Sequence, residues 1–167
     1  ELLLQIAEEE NDVRQVRQSG LRLFYDQFRI VYYRKVKATY TADKWKPEVE
    51  KIIGTLKSET HFGWKGIRAL ATIFVEEQYW QRLLALLQKN ATLEFAEDFY
   101  DLLKDRFPEE LVAVYRVALR RYAEQHMGRE HYNYIVSTLR KIQSLPAGVA
   151  MAKTLTNEFK VKYSSRR

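Results

Sequence analysis

The sequence predicts an all-α protein, an α-α superhelix of antiparallel helical hairpins with seven to eight helices. Three observations carry that expectation. Apolar residues recur at three- and four-residue steps along almost the whole chain, with little of the two-residue alternation that marks strands. Successive stripes are separated by short polar breaks, which favour antiparallel neighbours. The chain has 167 residues, of which 46% are hydrophobic. A single domain of this size buries about 70% of its unfolded surface and needs no metal or disulfide to hold it.

Residues 1–8 read as the tail of an earlier helix. The next segment, 11–37, carries Val13, Val16, Gly20, Phe24, Phe28 and Val31 on one stripe, and Leu23, Ile30 and Tyr33 lie off it, so this helix meets neighbours on more than one side. Thr41 offers an N-cap to a helix with Trp45, Val49, Ile52, Ile53 and Leu56 on one face. Pro47 either marks the first turn of that helix or sits slightly late in it. Ile67, Leu70, Ala71 and Phe74 form one stripe, and Trp80, Leu83, Leu84 and Leu87 form the next. The break at 76–78 between them is short enough to predict an antiparallel pair.

Asn90 or Thr92 then caps a helix with Ala96, Phe99, Leu103 and Phe107 inward. Pro108, followed by Glu109 and Glu110, is a strong start signal, because proline is tolerated in the first turn and carboxylates favour the positive end of the helix dipole. Its stripe is Leu111, Val114, Tyr115, Ala118, Leu119 and Tyr122, ending near Gly128. Tyr132, Ile135, Leu139 and Ile142 make the following one. Pro146 opens the last, with Met151, Leu155, Phe159 and Tyr163 at four-residue intervals.

Composition excludes several chemistries. The chain has no cysteine, so disulfides, thiol nucleophiles and cysteine-containing zinc sites are ruled out within it, and a cytoplasmic setting suits that composition. No apolar run approaches the length of a membrane span. The three histidines, His61, His126 and His131, have no metal-binding spacing and read as surface or turn residues. No GxSxG elbow or glycine-rich phosphate loop is present. No catalytic residue, cofactor site or metal site is therefore expected, and the protein reads as a non-enzymatic module.

Three groups remain as binding candidates. Glu94, Glu97, Asp98, Asp101 and Asp105 form an acidic stripe that could bind a cation or a basic partner, although such stripes are more often solvated faces. Tyr25, Tyr32, Tyr33, Tyr40, Tyr79, Tyr115, Tyr122 and Tyr132, with Trp45, Trp64 and Trp80, are apt interface anchors, or else fill gaps between stacked helices. The third group is basic. Residues 112–167 carry 11 basic and 3 acidic side chains, against 17 and 19 in residues 1–111, so the net charge of +6 is concentrated in the last third. Arg116, Arg120, Arg121, Arg140, Lys141, Lys153 and Lys160, with Tyr134 beside them, are the candidate residues for a partner or for nucleic acid, where cations meet phosphates and an aromatic meets bases. Lys162 lies on the same last segment, and Arg166 and Arg167 end the sequence.

The segments FVEEQYWQRLLALLQK (74–89), FPEELVAVYRVALRRY (107–122) and GREHYNYIVSTLRKI (128–142) resemble the helical C-terminal region of bacterial SWIM zinc-finger proteins. An acidic turn before an aromatic and a leucine-rich run, Phe-Pro-Glu-Glu before a tyrosine-containing helix, and Gly-Arg before a tyrosine-led helix carry the likeness. It implies a helical scaffold without the finger itself, since this chain has no cysteine to build one. The pairs at 69–87 and 118–142 are alike in outline but differ in spacing, so the architecture is similar to tetratricopeptide stacks without their signature. The expected unit is a single helical-repeat domain, 1–167. It begins at Glu1 and reads as a fragment of a longer protein. Its expected role is protein interaction or scaffolding, and the alternative is an accessory nucleic-acid-binding domain using the basic C-terminal helices.

Overall fold

The structure is a computed structural model that describes residues 1–163, so Arg166 and Arg167 lie outside the described residues. Those residues form ten α-helices and one 3-10 turn, with no strand. The all-α expectation holds, and the helix count exceeds the seven to eight predicted. The chain divides into two compact units, Glu1–Tyr79 and Trp80–Arg167.

The first unit contains α1 (Leu2–Glu9), α2 (Val13–Gln27), α3 (Ile30–Lys37), α4 (Ala42–Ser58), the 3-10 turn Thr60–Phe62 and α5 (Gly63–Glu76). The single helix predicted over 11–37 is in fact a hairpin. Phe28 takes a left-handed conformation (φ 54°), Arg29 is extended, and α3 folds back on α2. Both faces of the segment are apolar for that reason: Phe24 and Tyr33 pack ring against ring at 5.6 Å, and two of the three off-stripe residues, Ile30 and Tyr33, belong to the returning helix. Gly20 permits the close approach, because a Cβ there would stand 2.5 Å from Val36 Cγ2. Arg17 ties the open end, donating to the Thr39 hydroxyl and carbonyl and lying 3.7 Å over the Tyr40 ring. Pro47 falls inside α4, one turn past its start at Ala42, rather than opening it.

The second unit contains α6 (Trp80–Lys89), α7 (Leu93–Leu103), α8 (Pro108–Gln125), α9 (Arg129–Ile142) and α10 (Gly148–Tyr163). The boundary between the units falls at Tyr79–Trp80, within the pair predicted to be antiparallel; inside the first unit α5 packs on α3 and α4, and inside the second α6 packs on α7 and α8. Thr92 is the cap of α7, accepting from the Phe95 amide, and Pro108 is the first residue of α8. Phe95 and Tyr100 are buried on α7, with Ala96 and Leu103, whereas Phe99 and Phe107 are only half-buried. The last helix begins at Gly148, two residues after the expected Pro146. Glycine is required there because a Cβ would come 1.8 Å from the Ile142 carbonyl oxygen, so the turn between α9 and α10 closes only over a bare Cα.

Each unit has a part-buried polar knot in which one glutamate accepts from a tyrosine and a lysine. In the first, Tyr33 donates its hydroxyl proton to Glu77, which also accepts from Lys37 and from the Trp45 indole. In the second, Tyr115 donates to Glu97, which also accepts from Lys141. Burial, and then the carboxylate each one faces, push both tyrosine hydroxyls well above their ordinary range.

Candidate functional site

The helices α9 and α10 lose their cover at the same end of the second unit. Along α10, Met151 and Leu155 are buried, whereas Phe159 and Tyr163, continuing the same four-residue step, are only half-buried. Along α9, Ile135, Leu139 and Ile142 are buried, but Tyr132, predicted to open that stripe, is 66% exposed. The start of α9, the end of α10 and the α8–α9 link thus border a half-open groove of about 630 Å³. Its floor and walls are Ala123, Ile135, Val136, Leu139, Phe159 and Tyr163, with Met127 (69% exposed) and Tyr132 at the mouth. Arg129 and Lys160 are the charged side chains on its lining, and His126 is its third nitrogenous group.

Local sequence explains the opening. His126 is extended and Gly128 has φ 112°, so only three residues separate α8 from α9 and the second helix starts at once on a new axis. The link is held by an aromatic cluster. The Tyr122 ring stacks on His126 at 4.1 Å, the Tyr122 hydroxyl bonds to His131 Nδ1 at 2.7 Å, and Tyr134 meets Tyr122 edge-on at 5.2 Å. His126 Nδ1 lies 3.0 Å from the Tyr122 carbonyl oxygen. On the opposite side α10 is fastened to α8 by two ion pairs: Arg120 grips Glu158 with two nitrogens, and Lys162 meets Glu124 at 2.7 Å. Those pairs hold Glu124 of α8 and Glu158 of α10, and Arg129 and Lys160 form no ion pair among the described residues.

The eight residues singled out in the sequence do not form one patch. Arg120 serves the α8–α10 ion pair, Arg121 donates to the Ala91 carbonyl, and Lys141 is held by Glu97 and lies 4.0 Å over the Tyr100 ring. Tyr134 is half-buried in the aromatic cluster, where burial raises its hydroxyl pKa. Arg116, Arg140 and Lys153 are exposed. Of the eight, Lys160 lines the groove.

The acidic stripe is likewise divided, with Glu97 in the polar knot and Asp101 paired to Lys104. Among the described residues no three His, Asp or Glu side chains converge as a metal-binding group. None of their helices is long and apolar enough to cross a membrane.

Sequence reasoning passed over His126, Met127 and Arg129 as binding residues. The available signal was the pair of large apolar residues, Met127 and Tyr132, flanking the Gly128-Arg129 start, where the helix had not yet completed a turn that could bury them. No family model matches the chain, and neither a curated protein nor a solved structure matches it.

Proposed function

We propose that the protein is a non-enzymatic protein-interaction module and that its binding site is the groove between the start of α9 and the end of α10. The observation that supports this reading is the coincidence at one place of an unfilled apolar extension of the core with exposed Tyr132 and Met127 and a cationic rim. Interfaces concentrate their energy in such spots, where tyrosine and methionine meet a partner and arginine is enriched. In the same reading the hairpins α2–α3, α7–α8 and α9–α10 belong to the α-α superhelical, tetratricopeptide-like class. The chain then corresponds to the helical region of SWIM zinc-finger proteins, on the strength of the sequence segments that resemble it. The nucleic-acid alternative is weaker, because Arg120, Arg121 and Lys141 spend their donors inside the unit.

The test is a photo-crosslinking amino acid placed at Tyr132 in the full chain, with the same residue at Arg116 as the control. A discrete adduct from position 132, mapped by mass spectrometry to one segment of one protein and lacking from position 116, is the expected result. Adducts that disappear on nuclease treatment transfer the role to nucleic acid, and no adduct at either position removes the reading.

A further inference from the structure

From the chemistry of the groove, and resting on the interaction reading above, we infer that its occupant is an amphipathic α-helix of a partner protein. That helix seats one apolar ridge between α9 and α10 and places glutamate or aspartate residues beside the ridge against Arg129 and Lys160. Three features lead to this occupant.

The first is shape. The groove is the continuation of a helix-packing seam: Ile135, Leu139 and Leu155 fill it where α9 and α10 are covered, while Tyr132, Phe159 and Tyr163 continue the same two stripes where they are not. A third helix laid along that seam extends the packing already present, ridge into groove. A volume of about 630 Å³ lies within the roughly 300–1,000 Å³ of ordinary binding clefts, room for a few large side chains rather than a whole helix.

The second is the backbone. Both walls are helices, whose interior amides and carbonyls bond within each helix and whose free groups at the groove lie only in the first turn of α9 and the last of α10, so the groove presents no strand edge along which an extended segment could add a ladder of hydrogen bonds. Recognition here has to come from side chains, as it does when an amphipathic helix enters a groove.

The third is charge. Among the described residues the lining includes no carboxylate, while Arg129 and Lys160 are both exposed on it. Glu124 and Glu158, on the helices α8 and α10, are already taken by Lys162 and Arg120. Glu130, next to Arg129 in the first turn of α9, is not on the lining. An incoming basic segment would therefore meet like charge on the lining itself, and an acidic one would meet its complement, which governs encounter rate and choice of partner.

The experiment is a fluorescence-anisotropy titration of the full chain with a labelled helix-forming peptide carrying leucines at i, i+3, i+4 and i+7 flanked by glutamates. Three twins accompany it: lysines for the glutamates, the same residues with the leucines spread around the helix, and a proline at the centre. The acidic amphipathic peptide is expected to bind saturably, with each twin weaker by about tenfold or more, the scale of losing an interface anchor. Arg129→Glu with Lys160→Glu should reverse the preference toward the lysine twin, and Tyr132→Ala should weaken both. All three positions are exposed, so circular dichroism should stay unchanged in each variant.

Equal binding of the acidic and lysine twins, indifference to the charge-reversed variant, undiminished binding of the proline twin, or no binding of any peptide would each overturn the inference. If the crosslink from position 132 nevertheless maps to a basic or extended protein segment, the helical acidic occupant is wrong while the interaction module stands. If crosslink and peptides both fail, both readings fall.

Discussion

At the residue scale the chain is organised around hydroxyl groups that cannot readily lose their protons. Tyr33 and Tyr115 are fully buried and each donates to a glutamate, so ionising either would place an anion in a dry site beside another anion. The folded chain keeps these protons to higher pH than the unfolded chain does. The stability they contribute is fully present below the ordinary tyrosine value of 10.0 and is lost as pH rises from there toward the raised folded values. Denaturant titrations across this range should show stability falling above about pH 10, by up to about 1.4 kcal/mol per pH unit for each tyrosine. Tyr33→Phe and Tyr115→Phe should each cost about 0.5 to 1.5 kcal/mol at neutral pH and each remove one tyrosine's share of the alkaline slope. An alkaline slope unaltered in both variants would assign the loss to other groups.

At the scale of elements, the helices end in two ways, and the difference decided what could be read from sequence. Thr92 and Pro108 are local punctuation, and the boundaries they predict are where the helices begin. Phe28 is not punctuation: nothing in its chemistry asks for a left-handed turn, and it adopts one because its ring packs on Phe24 and Phe62 once α3 folds back. The break in 11–37 was therefore illegible, being imposed by tertiary contacts.

The site was partly legible for the same reason. Lys160 stood out as a basic residue, but the assembly of His126, Arg129, Tyr132 and Phe159 around one groove depends on a three-residue link that only the fold defines. Gln78 and Phe28 make the contrast testable, since both are left-handed, at φ 57° and 54°. Gln78 is exposed, so Gln78→Gly should stabilise by about 1 kcal/mol by removing the Cβ penalty. Phe28→Gly gains the same relief but loses the ring contacts and should destabilise by roughly 1 to 3 kcal/mol. Chemical denaturation of the two variants checks both signs.

At the scale of the whole molecule, the two units each have their own core and their own tryptophans, Trp45 and Trp64 in the first and Trp80 in the second. Leu119 is fully buried in the second unit, and Leu119→Ala should cost about 2 to 5 kcal/mol. The loss should appear in the unfolding transition reported by Trp80 when Trp45 and Trp64 are replaced by Phe, and be absent from the transition reported by Trp45 when the other two are replaced. A shift of equal size in both reporters would mean that the units unfold as one. The twin knots offer a finer instrument for the same question. A tyrosine hydroxyl proton normally trades with water too fast to be seen, but one sealed under a packed helix and held by a carboxylate can survive long enough to give its own magnetic-resonance line. Tyr33 and Tyr115 thus place one natural clock in each unit, and the rates at which their two protons are replaced by deuterium would time the opening of each half of the chain with no label added.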